Sequence, residues 1–507
     1  MKPYITLIFF LSSCASIQSL SGGEKDTTPP EVVSLIPKNK ELNVTTKNIT
    51  IEFNEYVRSA KLNDVIIISP SQKLKPEIKV KGKKVYIKLL DSLKSNTTYR
   101  IQLNQGVVDN NESNPCKDFN YVFSTGSYID SMKYSGFVYS FLTKEPLKNY
   151  NIQLYKSQKD SSVINDIPNY ISRSNEDGSF DFYNLPEEKL MVAVFEDQNK
   201  NLSLNKNEPV AMLKFIDTRN NNNDSFYTFI NANTDKYKIK KTSSIYPGII
   251  CLSVNKPVND DLKLILNDKE INYQLTDSRD TIYGYFNTYK DTNIITVTID
   301  SILYSFPIKK IKKSITPKLE INKKKSNKKN ILIESTIPGE VNTKFIKIKS
   351  DSSFINYEIE NINPLENQLY IKDDIKGDLK IILEDSAFVS FFKVYSQKDT
   401  LDLNISNKYI NNLYLNLNVK KQTNYIIELL SNNKLIKRKV VNNNNNKITF
   451  KNLKPGVYSL HIIEDLNKNN IWDSGEIFTK KDPEKVYLYK KIEIRDNWDK
   501  DLIINIL

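Results

Sequence analysis

Short alternations of apolar and polar residues recur along the chain, and they restrict it to β-structure. In NITIEF, Ile49, Ile51 and Phe53 fall on one side, and in KVYIKLL, Val85, Ile87 and Leu89 do the same. YRIQLN groups Tyr99, Ile101 and Leu103, and FNYVFST groups Phe119, Tyr121 and Phe123. A period of two places such residues on one face of a strand. Polar turns holding Pro, Asn, Asp and Ser separate these runs, and no long stretch keeps a helical period. Many short strands at this spacing predict an all-β chain of tandem sandwiches. A length of 507 residues suggests roughly three to five domains. Hydrophobic residues make up 39% of the chain, enough to fill several small cores.

The first residues read as a sorting signal. MKPYITLIFFLSSC has one lysine, an apolar run over residues 4–11, and small residues before Cys14. The run is too short to cross a bilayer as a helix, which takes about 20 residues, and its layout is that of a secretory signal peptide. Its end, LSSC, resembles the bacterial lipobox. That resemblance implies cleavage of residues 1–13 and acylation of Cys14. Each buried CH₂ contributes about 0.8 kcal/mol, so several acyl chains anchor stably. An ordinary signal with a chance cysteine is the competing reading. Residues 14–27 form a polar Ser/Gly-rich tether that leads to Pro29 and Pro30. The expected partner is then a membrane, reached through the lipid on Cys14. The expected location is the bacterial cell envelope at the outer membrane, with the leaflet left open.

Residues 28–127 resemble the bacterial Ig-like domain of the SbsA surface-layer type. The resemblance is carried by DTTPPEVVSLIPKNKELNV, ITIEFNEYV, LKSNTTYRIQLNQGVVDNNES and FNYVFSTG. It implies a seven-stranded sandwich with no catalytic residues. Residues 128–235 resemble instead the prealbumin-like sandwich of carboxypeptidase regulatory domains, through YSGFVYSFLTKEPLKNYNIQLY and NEDGSFDFYNLPEEKLMVAVFED. Within the latter, Asp177-Gly178 is a hairpin signal in its own right. Residues 236–317 and 318–398 read as further Ig-like sandwiches, from IICLSVNKPV and NILIES. Residues 399–507 form a second prealbumin-like module, in which Leu413, Leu415, Leu417 and Val419 alternate.

This last assignment rests on an internal repeat. FDFYNLPEEKLMVAVFEDQNKNLSLNKNE (180–208) aligns without a gap to ITFKNLKPGVYSLHIIEDLNKNNIWDSGE (448–476). In the second copy, Asp465, Asn467, Asn469, Ile471, Asp473 and Glu476 stand at positions 1, 3, 5, 7, 9 and 12. This is the ligand spacing of a twelve-residue calcium loop, with a backbone carbonyl at position 7 and a bidentate glutamate at 12. Its three acids suffice to neutralise a dication. Position 6 is Asn470, the non-glycine residue type best suited to a left-handed turn. The first copy offers Asp197, Asn199, Asn201, Ser203, Asn205 and Glu208, with Leu202 at position 6. Prealbumin-like repeats resemble these copies in carrying such loops between strands. The alternative is an Asx-rich turn whose side chains bond their own backbone.

Few features point to chemistry. The net charge is +13, but basic clusters such as NKKKSNKKN (322–330) lie between strand-like runs and read as solvated loops. Nucleic acid is therefore not an expected partner. The three cysteines include no CxxC pair, which disfavours a metal cluster, and Cys116 and Cys251 are either free or paired. The single histidine, His461, alternates with Tyr458, Leu460 and Ile462 in a strand-like run. Neighbouring acids such as Glu187 and Glu188 read as turn charges. No GxSxG, HExxH or P-loop motif occurs. The expectation is a non-enzymatic envelope lipoprotein, an array of sandwiches with a structural or presenting role. The alternative is a surface lipoprotein binding glycan or protein, with Trp472 and Trp498 as candidate contacts.

Overall fold

A computed structural model describes residues 26–506, apart from 118, 221–222, 232–235, 245, 288–292, 300, 309–314, 324–325, 327–328, 351–352, 374, 376–377, 404–410, 420, 443–446 and 497. The signal segment, Cys14 and most of the tether lie outside the described residues. The fold is all-β. Helical structure among the described residues is limited to single turns at Leu62–Val65, Ser162–Asn165 and Thr343–Phe345. None of these is long and apolar enough to cross a membrane. Two compact units are present. One comprises residues 26–138, 147–205 and 213–225, and the other 139–146, 206–212 and 226–507.

The first unit opens with a sandwich whose faces follow the period-two pattern. One sheet runs Val32–Ile36, Asn48–Phe53, Lys84–Lys88, Glu77–Lys81, and the other Ile67–Ser69, Thr98–Gln102, Asn120–Ser124. Four strands and three give the seven expected, with a two-stranded ribbon of Val57–Ser59 and Val107–Asp109 beside them. Ile49, Ile51, Phe53, Val85, Ile87, Tyr99, Ile101, Tyr121 and Phe123 meet in one core. Tyr99 and Phe123 stack there at 5.2 Å and 8°. Asp109 ties off the DNNES turn by accepting the backbone N–H groups of Glu112, Ser113 and Asn114.

Further along this unit, Asn151–Tyr155 pairs with Tyr170–Arg173 and Lys189–Phe195, and Lys189–Phe195 pairs with Lys214–Asp217. Here simple alternation gives way. From Leu190 to Phe195 every side chain is buried, so the strand is covered on both faces, as its unbroken apolar run LMVAVF allows. Residues of the following loop pack back over the neighbouring strand. The Leu202 carbonyl accepts from the Gln153 side chain, the Leu204 N–H donates to Val163, and the Ser203 hydroxyl donates to Ile164.

Three sandwich cores of the second unit stand out among the described residues. One draws on Tyr237 through Ile308, another on Leu319 through Leu403, and the last on Leu413 through Ile506. Strand Asp399–Leu403 corrects the expected border at 398. It pairs with Leu379–Leu383, and Leu403 is buried in the preceding core. The expected module 128–235 is also divided, because residues 139–146, 206–212 and 226–231 cluster with the second unit. In the C-terminal sandwich, Lys434–Val441, Asn424–Ser431, Gly456–Asp465 and Val486–Ile494 form one sheet. The other holds Lys447–Leu453, Asn411–Val419 and the parallel strand Lys500–Ile506. The outer face of the four-stranded sheet is apolar too: Ile426, Ile463 and Val486 pack with Phe141, Leu142 and Trp472.

Candidate calcium loops

The repeated segments share a backbone. Asn184 and Asn452 are both left-handed (φ 60° and 59°), as are Lys200 and Lys468 (59° and 60°) and Leu202 and Asn470 (62° and 60°). Asparagine suits that region, while leucine strains it. Register in the sequence is therefore matched by register in the turn geometry.

In the second copy, strand Gly456–Asp465 ends at the fully buried Asp465. The Asp465 carboxylate accepts the N–H groups of Asn469 and Asn470, at 3.0 and 2.9 Å. Asn467 Oδ1 accepts from Asn469 N, and Asn469 Oδ1 accepts from Ile471 N. Both amides then turn their Nδ2 toward Asp473, at 2.6 and 3.2 Å. Lys481 Nζ lies 3.4 Å from the same carboxylate. Hydrogen bonds of an Asx turn thus link Asp465, Asn467, Asn469 and Asp473, with amide and ammonium groups balancing the Asp473 charge.

Glu476 is placed differently from the twelve-residue template. Its carboxylate accepts the backbone N–H groups of Phe478 and Thr479 and the Asn231 side chain, which closes the turn after the loop. The glutamate that reaches back is Glu484, eleven residues beyond Asp473. Its two oxygens accept Leu466 N at 2.8 Å and Asp473 N at 3.1 Å, spanning both ends of the loop. Burial pushes the Glu484 carboxyl above the usual range, and the charges of Asp473 and Asp465 add to that. Burial likewise raises Asp465, against the backbone hydrogen bonds it accepts. Sequence spacing misses Glu484 because it lies outside the loop and is brought back by backbone pairing, Glu464 N donating to Lys485 O and Glu484 N to Asp473 O. Among the described residues no three His, Cys, Asp or Glu side chains are arranged to hold a metal ion by themselves. A cation here would need the amide and backbone oxygens as well.

The first copy keeps the Asx skeleton with less charge. Asp197 accepts Asn201 N, Leu202 N and the Asn151 amide. Asn199 Oδ1 accepts from Asn201 N, and Asn201 Oδ1 accepts from Ser203 N and Asn205 Nδ2. Glu208 is buried in the other compact unit.

Of the remaining candidates, Trp472 and His461 are packed and Trp498 is not. Cys116 and Cys251 form no disulfide. Trp472 stacks on Phe141 at 6.1 Å and donates its indole N–H to the Glu484 carbonyl. Trp498 is exposed. His461 is buried on the sheet face opposite Leu460 and Ile462, with Nδ1 3.6 Å from Glu428.

Residues 26–125 match the family described as the bacterial Ig-like domain. No curated protein matches the chain. Among solved structures, the Bacillus anthracis TIE protein is 10% identical, covering 96% of this chain and 76% of that one at a TM-score of 0.14. The BSP domain of a biofilm associated protein is 11% identical, covering 78% and 99% at a TM-score of 0.17. Surface layer protein SbsC, domains 1–6, is 11% identical, covering 92% and 67% at a TM-score of 0.15. Likeness at these scores carries no inference about this chain.

Proposed function

We propose that this chain is a non-enzymatic, lipid-anchored protein of the bacterial cell envelope that holds an array of β-sandwiches away from the outer membrane. The observation that carries this reading is one of order. An apolar run ending in Leu-Ser-Ser-Cys14 leads through a short polar tether into a bacterial Ig-like domain. The anchor would be acyl chains on Cys14, and the sandwiches would serve as spacer and presenting surface. Protease treatment of intact cells, followed by detection of the C-terminal module, tests which way the array faces. Loss of the module places the array outside, and protection until the outer membrane is broken places it in the periplasm. Release of a Cys14→Ser variant into the soluble fraction is expected, and its full retention on membranes overturns the anchor.

Calcium belongs to the same proposal as a rigidifying ion. Asp465, Asp473 and Glu484 would supply the charge, and Asn467, Asn469 and the Ile471 carbonyl further oxygens, within the six to eight that calcium takes. Bound calcium would neutralise the mutual repulsion of the carboxylates. Extracellular modules work at dissociation constants of about 10⁻⁴–10⁻³ M, so modest affinity suffices outside the cytoplasm. The first loop, with Asp197 as its acid, would bind more weakly.

A further inference from the structure

A cleft of about 570 Å³ opens inside the second unit, between the sandwich beginning at Tyr237 and the C-terminal sandwich. This lies in the range of small-ligand sites, about 300–1,000 Å³. Its lining is mixed: Leu142, Leu435, Ile463, Ile471 and Trp472 are apolar. Arg438, on the same sheet face as Ile463, and Arg279 add two guanidinium groups, with Lys256 and Lys481 beside them.

The two arginines are not equally engaged. Arg279 donates Nε to the Val258 carbonyl at 2.7 Å and a terminal nitrogen to the Asp260 carboxylate. Arg438 is 8% exposed and donates one hydrogen bond, to the Asn470 carbonyl. The Glu428 carboxylate stays 3.6 Å from its Nε, an ion-pair distance too long for a hydrogen bond. A guanidinium carries five N–H donors in a planar fork that matches a carboxylate. The Arg438 donors that line the cleft can exchange solvent for a carboxylate. Burial lowers the Arg438 pKa, the Glu428, Asp277 and Asp260 carboxylates raise it, and the Arg279 charge lowers it.

Charge balance and lining chemistry narrow the occupant. Asp277, Glu428 and Asp473 line the cleft alongside the cations, so a polyanion meets repulsion as well as attraction. Trp472 and the aliphatic residues of the lining suit an apolar side chain. We propose that the cleft captures the free C-terminus of a peptide ending in an apolar residue, with its carboxylate in the fork of Arg438 and its side chain against Trp472, Leu435 and Ile463. The site would give the array a protein partner recognised by its chain end, and it does not depend on how the array is anchored.

The chain has two tryptophans, and Trp498, 70% exposed, is replaceable by phenylalanine. Trp472, in the cleft lining, is then the sole tryptophan. The full chain carrying W498F is titrated, at fixed calcium, with an acetylated tripeptide ending in leucine, the same peptide amidated, and glucuronic acid. Saturable change with the free acid is expected, at least about ten-fold weaker with the amide, as the loss of a charge-assisted hydrogen bond implies. Arg438→Lys should weaken the free acid about ten-fold, because it keeps the charge and loses the fork. Glu428→Gln should tighten it, by removing a competing carboxylate. Equal binding of acid and amide, a response to glucuronic acid alone, or no saturable change with any probe overturns the proposal.

Discussion

Glu484→Gln distinguishes a loop shaped to take a cation from one that only closes on itself. In the native loop the Glu484 carboxylate accepts Leu466 N and Asp473 N, and its pKa is raised by burial and by Asp473 and Asp465. Between the ordinary glutamate value and that raised value, the folded chain binds the proton more tightly than the unfolded one. Stability from this group therefore falls as pH rises through that window and stays low above it. Without calcium, the native loop should lose stability as pH rises above the ordinary glutamate range. Calcium acts in the opposite direction, with its benefit present at neutral pH and fading in acid. At a concentration 100 times the dissociation constant, about 10 mM for a site near 10⁻⁴ M, binding adds about 2.7 kcal/mol. The assay is denaturant unfolding of the W498F chain followed through Trp472, which adjoins Asp473 and bonds the Glu484 carbonyl. The Trp472 midpoint should rise with calcium in the native loop and stay put in Glu484→Gln. Glu476→Gln should retain the calcium response, since Glu476 is committed to Phe478 and Thr479. Loss of the response in Glu476→Gln but not in Glu484→Gln would falsify the assignment of Glu484, and no response in the native loop would remove calcium from the account.

Other outcomes test the packing. Phe123→Ala should cost about 3–5 kcal/mol by chemical denaturation, because Phe123 is fully buried and stacked on Tyr99. Gly136→Ala should cost about 1–3 kcal/mol through overpacking, since a Cβ there would lie 2.3 Å from the Asp224 carbonyl oxygen. Leu202→Asn should raise the stability of the first unit by about 0.5–1 kcal/mol, because Leu202 holds a φ of 62° that asparagine tolerates better. A stability loss in that variant shows that Leu202 packing outweighs the backbone strain.

Alternation made the single-core strands legible. Ile49, Ile51 and Phe53, or Leu413, Leu415 and Leu417, point inward in the fold as their spacing indicates. It could not show which strands are covered twice. Lys189–Phe195 and Asn424–Ser431 are apolar on both sides, and the second layer over Ile426 and Ile463 includes Phe141 and Leu142, distant in sequence. The border at 398 failed for a related reason, since Asp399–Leu403 alternates equally well in either module and only its partner Leu379–Leu383 decides. In the loop, Asp465 to Asp473 were readable because Asx turns are local. Glu484 and the Arg438–Glu428 pair were not, because strand pairing brings them there.

The central claim is the lipid on Cys14, and the most direct test is the mass of the N-terminal proteolytic peptide from protein extracted from bacterial membranes. The account predicts a peptide that begins at Cys14 and carries acyl chains. A peptide that begins elsewhere, or an unmodified Cys14 in membrane-derived protein, would contradict it.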